Sequence, residues 1–174
     1  MDKSAGLSSF YLWNLCSKLL PNFSGVVSCD RIHLAFPNLD HTQLAIVNSL
    51  ERHFVHGGHW LAVGYDSKKE KFHFWDPLGF NVSSYPMIEE FLRSQRKPIL
   101  DYNKEIQHGL SVHCGYHALA FLLSLQLELD VKAFFDLYNV ENLLVNDDIS
   151  KEFIMAYIGK QSDSQSTTGD GVTS

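Results

Sequence analysis

One stretch constrains the fold more than any other. Over residues 115–128 the chain reads Gly-Tyr-His-Ala-Leu-Ala-Phe-Leu-Leu-Ser-Leu-Gln-Leu-Glu, helix-forming and apolar on nearly every side. A helix without a polar face has to be enclosed by other elements. Its longest apolar run, residues 118–123 with Leu125, is far short of the roughly 18–20 residues that cross a bilayer, so it reads as the buried helix of a folded domain. The 174 residues suit one such domain. A 45% hydrophobic share, with 12 Phe, 7 Tyr and 3 Trp, excludes disorder throughout, because that area offsets the entropy of ordering.

Fourteen Lys and Arg against twenty Asp and Glu give a net charge of −6, which runs against gripping phosphate backbones as the main task. The start, Met1-Asp2-Lys3-Ser4, is polar and shows no secretory signal. The expectation is a soluble protein that works inside a cell or particle. Three cysteines, Cys16, Cys29 and Cys114, are odd in number and far apart, which argues against a disulfide scaffold and leaves room for a functional thiol.

Ser8 or Ser9 can cap a helix running through Phe10, Trp13, Cys16 and Leu20 and ending before Pro21. A loop rich in Pro, Asn and Gly follows. Residues 44–48 are ambiguous between strand and helix. Residues 60–65 and 71–75 read as strands joined by a polar hairpin connection at 66–70. Residues 86–96 read as a helix with Ile88, Phe91 and Leu92 on one side, and residues 99–102 as a short strand. Further helices are expected at 131–138 and 147–158, the second capped by Asn146 with Asp147 and Asp148. Residues 159–174, rich in Ser, Thr, Gly and Asp, read as a flexible tail, leaving 1–158 as the domain. Helices flanking a small, mostly antiparallel or mixed sheet make an α+β fold.

The chemistry concentrates at one end of the hairpin. His59 precedes its first strand and Asp76 follows its second, equidistant from a midpoint between Ser67 and Lys68. Directly opposed residues of such a hairpin lie about 4.5–5.5 Å apart at Cβ, so an imidazole and a carboxylate reach the same place. The carboxylate can then fix the ring's tautomer and stabilise its cation. Cys114 sits at the start of the buried helix, where unpaired N–H groups and the dipole favour a thiolate. Gly115 beside it lets a substrate backbone approach closely. Gln107, seven residues upstream, can donate its amide to a developing oxyanion together with the Cys114 N–H.

The stretches GGHWLAV, FHFWDPLGF and QHGLSVHCGYHALAFLL resemble the adenovirus-type cysteine protease (adenain) family, with its relatives in other DNA viruses and virus-like transposons. The order His-Trp, acid-Pro-x-Gly, Gln, then Cys-Gly seven residues later is shared more loosely with the SUMO-specific proteases. The likeness covers residues 25–153, favours a strand at 45–48, and extends to Asn146-Asp147, which is similar to a motif of the transposon-type members.

The resemblance implies a papain-like or SUMO-protease-like core and a thiol endopeptidase. In it Cys114 is the nucleophile, His59 the general base, Asp76 the orienting acid and Gln107 an oxyanion-hole donor, with Trp60 walling a narrow cleft. It implies precursor-protein substrates cut near glycine during virion maturation, in the virion and the host nucleus or cytoplasm. Peptide and DNA activators belong to the same resemblance. Residues 80–113 hold no cysteine, so the disulfide link to an activating viral peptide does not carry over, and the acidic balance runs against DNA; the sequence requires no cofactor.

Two other readings stand beside this one. The same narrow cleft suits a protease that cuts the Gly-Gly ends of ubiquitin-like modifiers. A catalytically inactive or zinc-binding interaction module is the other, since His53, His56 and His59 recur every three residues and His113 and His117 bracket Cys114. Gly57-Gly58 breaks any helix that would align the first three, and the spacing fits no common zinc module, so no metal is assigned.

Overall fold

In the computed structural model, which describes residues 6–54 and 57–166, five strands pair in chain order. They are β1 (Phe23–Ser28), β2 (Gln43–Asn48), β3 (Trp60–Asp66), β4 (Lys71–Trp75) and β5 (Ile99–Tyr102). The inner pairs β2–β3 and β3–β4 are antiparallel, and the outer pairs β1–β2 and β4–β5 are parallel, so the sheet is evenly mixed. Parallel neighbours need a long crossover. Residues 29–42, opening with the 3₁₀ turns of Cys29–Leu34, make the first, and residues 76–98, carrying helix α2 (Pro86–Ser94), make the second.

Both faces of the sheet are covered, and side-chain alternation sorts the residues between them. On one face Leu44, Ile46, Ala62 and Trp75 pack under α1 (Ser9–Leu19), α3 (Cys114–Gln126), α4 (Val131–Phe135) and α5 (Asn146–Ser166). On the other, Ala45, Val47, Leu61, Val63, Phe72 and Phe74 pack against Ile32, Phe36, Ile88 and Leu92. The buried helix is α3: from Cys114 to Ser124 only Tyr116 escapes full burial. Phe121 sits 5.1 Å from the Trp75 ring and is ringed by Phe134, Phe135 and Tyr102. Burying a side chain of that size contributes roughly 1.5–3 kcal/mol, so α3 is held by its surroundings on every side.

Several local expectations are corrected. The segment after α1 holds strand β1, an edge strand with only Gly25 buried and an irregularity at Ser24, so it lacks the alternation that marks a strand. Asp66 pairs with Lys71 and Ala62 with Trp75, moving the hairpin midpoint to between Lys68 and Lys69. Asp66 Oδ1 accepts the Lys68 and Lys69 N–H groups, and Glu70 takes a left-handed φ of 49°, which tightens the turn. In α1, capped by Ser8, the inward residues are Leu12, Cys16 and Leu19, while Phe10 and Trp13 face outward. α2 stops at Ser94 and α4 at Phe135, both shorter than expected.

α5 runs on to Ser166, so residues 159–166 of the expected tail are helical. Extending a docked helix fixes one residue per hydrogen bond, and no proline intervenes; the helix runs through Gly159 at a cost of about 1 kcal/mol. Residues 167–174 lie outside the described residues. Among the described residues no helix is long and apolar enough to cross a membrane.

Candidate active site

His59 precedes β3 and is anchored by its backbone on β2's end: its N–H donates to Ser49 Oγ at 2.9 Å and its carbonyl accepts the Ser49 N–H at 2.9 Å. Its ring reaches Asp76, just past β4, with Nε2 2.5 Å from Oδ1. Asp76 is fully buried, so its charge must be fully bonded. Oδ1 also accepts the Leu78 N–H at 2.8 Å, and Oδ2 accepts the Tyr85 hydroxyl at 2.5 Å. With the midpoint shifted, Asp76 lies diagonally rather than directly opposite His59, and the side chains close the remaining gap.

Asp76-Pro77-Leu78-Gly79 forms a turn in which the Gly79 N–H bonds the Asp76 carbonyl at 2.8 Å. Gly79 has φ +80°, and a Cβ there would come within 2.9 Å of the Glu105 backbone nitrogen. That close approach lets the Pro77 carbonyl accept both the Ile106 and Gln107 N–H groups, at 2.9 and 3.0 Å. The turn that follows Asp76 thus carries the segment bearing Gln107. The Gln107 side chain is buried; its Nε2 donates to the Ser111 carbonyl at 2.9 Å, and its Oε1 has no partner.

Cys114 opens α3 and is 8% exposed, at the base of a cleft of about 880 Å³ that His59, Trp60, Leu78 and Gln107 also line. The His59 ring interacts with both Asp76 and Cys114. Burial pushes this imidazole down, but its hydrogen bonds and charge interactions with Asp76 and Cys114 outweigh it and hold the ring up at about 9. An imidazolium is therefore the favoured form at neutral pH. Burial pushes the Cys16 thiol up to about 12, and burial with the nearby Asp30 charge raises Cys29.

The structure thus brings His59, Gln107 and Cys114 to one cleft, with Asp76 buried behind His59. Trp60 lines it as well, donating its indole N–H to the Leu7 carbonyl at 2.9 Å and so tying the segment before α1 to the cleft wall. Gly115 follows Cys114 at the contact between α1 and α3. A Cβ there would meet Leu12 at 3.1 Å and Leu7 at 3.2 Å, so its lack of a side chain serves the packing of α1 on α3.

The sequence model of the adenovirus endoprotease family matches residues 23–128, more than half of the chain, and that span contains all four residues. The chain belongs to the adenovirus endoprotease family. A relative named "Protease", from Porcine adenovirus A serotype 3, is 31% identical over 116 residues, covering 59% of this chain. The chain matches 55% of that relative's length. In this member of the adenovirus endoprotease family, α1, α4 and α5 lie outside the matched span.

Two parts of the site were not foreseen. Tyr85, on the crossover before α2, has no local signal beyond being an aromatic in a loop. Asp147 lies in the first turn of α5, as expected, and in addition gathers His113 Nδ1, His117 Nε2 and the Ser111 hydroxyl, each at 2.8–2.9 Å. A signal existed: His113, just before α3, and His117, in its first turn, are four apart and so come to the same side. Burial pushes the Asp147 carboxyl up, but these hydrogen bonds and the two imidazoles outweigh it and hold it at about 2. Burial pushes His117 down, keeping it neutral; Nε2–H then donates to Asp147, and Nδ1 accepts from Ser150 Oγ at 2.7 Å. Among the described residues no group of three or more His, Cys, Asp or Glu side chains could hold a metal; His56 of the zinc reading lies outside them.

Proposed function

We propose that the protein is a cysteine endopeptidase of the adenain type, with Cys114 as nucleophile, His59 as general base and acid, Asp76 as the orienting carboxylate and Gln107 as an oxyanion donor. One observation carries the reading. A fully buried Asp76 carboxylate grips His59 Nε2 at 2.5 Å, leaving the ring's other nitrogen for the thiol at the start of α3. A carboxylate, an imidazole and a thiol in that order are the parts of an activated nucleophile.

The steps follow from the groups. The Cys114 thiolate adds to a peptide carbonyl, forming a C–S bond while the carbonyl's electron pair moves onto oxygen. The Gln107 amide and the Cys114 N–H at the helix start are the donors for that oxyanion. Collapse breaks the C–N bond, and His59 gives its proton to the leaving amine. Water, losing a proton to His59, then hydrolyses the thioester. Asp76 keeps the ring in one orientation throughout and offsets its charge.

The substrates of this reading are viral precursor proteins cut beside glycine, typically an apolar residue followed by Gly-x or Gly-Gly, during virion maturation in the infected cell. Neither a disulfide-linked peptide nor DNA is required by it, since residues 80–113 hold no cysteine and the net charge is −6.

The test is cleavage of a library of glycine-containing peptides by the wild-type protein, Cys114→Ala and His59→Ala. Wild-type turnover lost in both folded variants is the expected result. Near-normal turnover in either variant would sink the assignment, and faster cleavage of a ubiquitin-like fusion than of viral-type peptides would move the substrate class to modifiers.

A further inference from the structure

Gln107 and Cys114 are joined by residues 108–113, a loop whose tip is open: Leu110 is 87% exposed. Such loops are ordinarily the mobile parts of a fold. An oxyanion donor at its root has to be held far more tightly than that, because a misplacement of about 1 Å costs on the order of 100-fold in rate.

The first two residues of α5 grip this loop from both ends. Asn146, fully buried, donates Nδ2–H to the carbonyl of Ile106, the residue before Gln107, at 2.8 Å. It also closes residues 139–146 by bonding both the N–H and the carbonyl of Asn139 at 2.8 Å. Its side chain therefore clamps two loops and does not cap the helix. Asp147 holds the other end, through the Ser111 hydroxyl and His113 Nδ1. Ser111 in turn accepts the His113 N–H at 3.1 Å on its hydroxyl and the Gln107 amide at 2.9 Å on its carbonyl.

We propose that Asp147 is a positioning residue for the oxyanion hole, acting through Ser111 and His113 to hold the loop that carries Gln107 against the start of α3. The proposal rests on the cysteine-endopeptidase reading. It explains why a carboxylate stands here. Three donors converge on the side chain, the Ser111 hydroxyl and the two imidazole N–H groups, and only an acceptor with two oxygens and no hydrogen satisfies them all. His117, which is inaccessible to solvent, anchors the carboxylate to α3 itself, so the loop is referenced to the same helix that presents Cys114. Both residues of the clamp lie beyond the span matched by the family model, which ends at residue 128.

The experiment uses the whole chain and two variants. Asp147→Asn is nearly isosteric but turns an amide NH₂ toward donors. Ser111→Ala removes the hydroxyl link to the loop and leaves the His113 and His117 contacts of Asp147 in place. Two rates are read: peptide turnover, and alkylation of Cys114 by iodoacetamide at pH about 6, where an ordinary thiol of pKa about 8.5 is almost unreactive. Alkylation displaces iodide and forms no oxyanion. The expected result is kcat down by about 10- to 100-fold with KM within about twofold, and Cys114 alkylation unchanged. Undiminished kcat in either folded variant overturns the proposal. So does a parallel fall in kcat and alkylation, which would put Asp147 behind the thiol–imidazole pair instead. A wild-type Cys114 that is not selectively alkylated would overturn the endopeptidase reading itself, and the proposal with it.

Discussion

The hydroxyl of Tyr85 donates to Asp76 Oδ2 at 2.5 Å, across the same carboxylate whose other oxygen holds His59. Burial and this bond to a carboxylate push the phenol's pKa up, so it remains a donor at any working pH. The Asp76 carboxylate is thus fixed from both sides, by the His59 ring and by a residue nine positions along the chain.

Removing that donor leaves a buried carboxylate oxygen unsatisfied. Tyr85→Phe is expected to lower stability by about 1–3 kcal/mol and to reduce kcat/KM by about tenfold as the His59 ring loses its fixed orientation. Denaturant midpoints together with peptide turnover measure both; unchanged turnover would mean that His59 and the Leu78 N–H order Asp76 without Tyr85.

His59 couples stability to pH. Its ordinary value of 6.5 rises to about 9 in the folded chain, so the folded state binds the proton more tightly than the unfolded one. The resulting stabilisation is complete below about 6.5, declines between 6.5 and 9, and is gone above that range. The shift corresponds to on the order of 3 kcal/mol. The stability difference between wild type and His59→Gln should therefore shrink as pH is raised across that window, measured by denaturant titration; a difference that grew would contradict the assignment of a charged ring.

Gly79 should tolerate no side chain. At φ +80° an L residue is strained, and its Cβ would lie 2.9 Å from the Glu105 backbone nitrogen, which cannot swing away as a side chain can. Gly79→Ala is expected to cost about 2 kcal/mol or more, a fall of roughly 4–8 °C in Tm for a domain of this size. It should also lower kcat, because the turn carries the Gln107 segment through the Pro77 carbonyl. Calorimetry and turnover on the same sample decide it.

Gly115 separates a packing role from a substrate role. The atoms that a Cβ would crowd are methyl ends of Leu7 and Leu12 at 3.1–3.3 Å, which can shift by a few tenths of an ångström. Gly115→Ala should cost about 1 kcal/mol in stability and leave KM within about twofold. A KM raised tenfold with stability intact would instead return Gly115 to the substrate cleft.

The parts of this protein legible in the sequence are those governed by short-range pattern. The apolar run of α3, the hairpin and the strand at 99–102 follow from side-chain periodicity and turn residues. The grouping of His59, Asp76, Gln107 and Cys114 was legible from their motifs and order. Features set by partners distant in sequence were not. β1 is an edge strand whose half-exposed residues carry no alternation; it exists because β2 offers it a ladder. Asn146 has the composition of a helix cap, yet its amide is spent on Ile106, 40 residues away.

The sequence by itself determined which residues could do chemistry, because nucleophile, base, acid and amide are properties of side-chain types and their order. Tertiary structure alone decided what holds them: Tyr85 behind Asp76, the Pro77 carbonyl under Gln107, and Asp147 under the loop before Cys114. The physical reason lies in burial. A charge or amide withdrawn from water must find every one of its hydrogen-bond partners inside the fold, and those partners are chosen by proximity in space across packed layers.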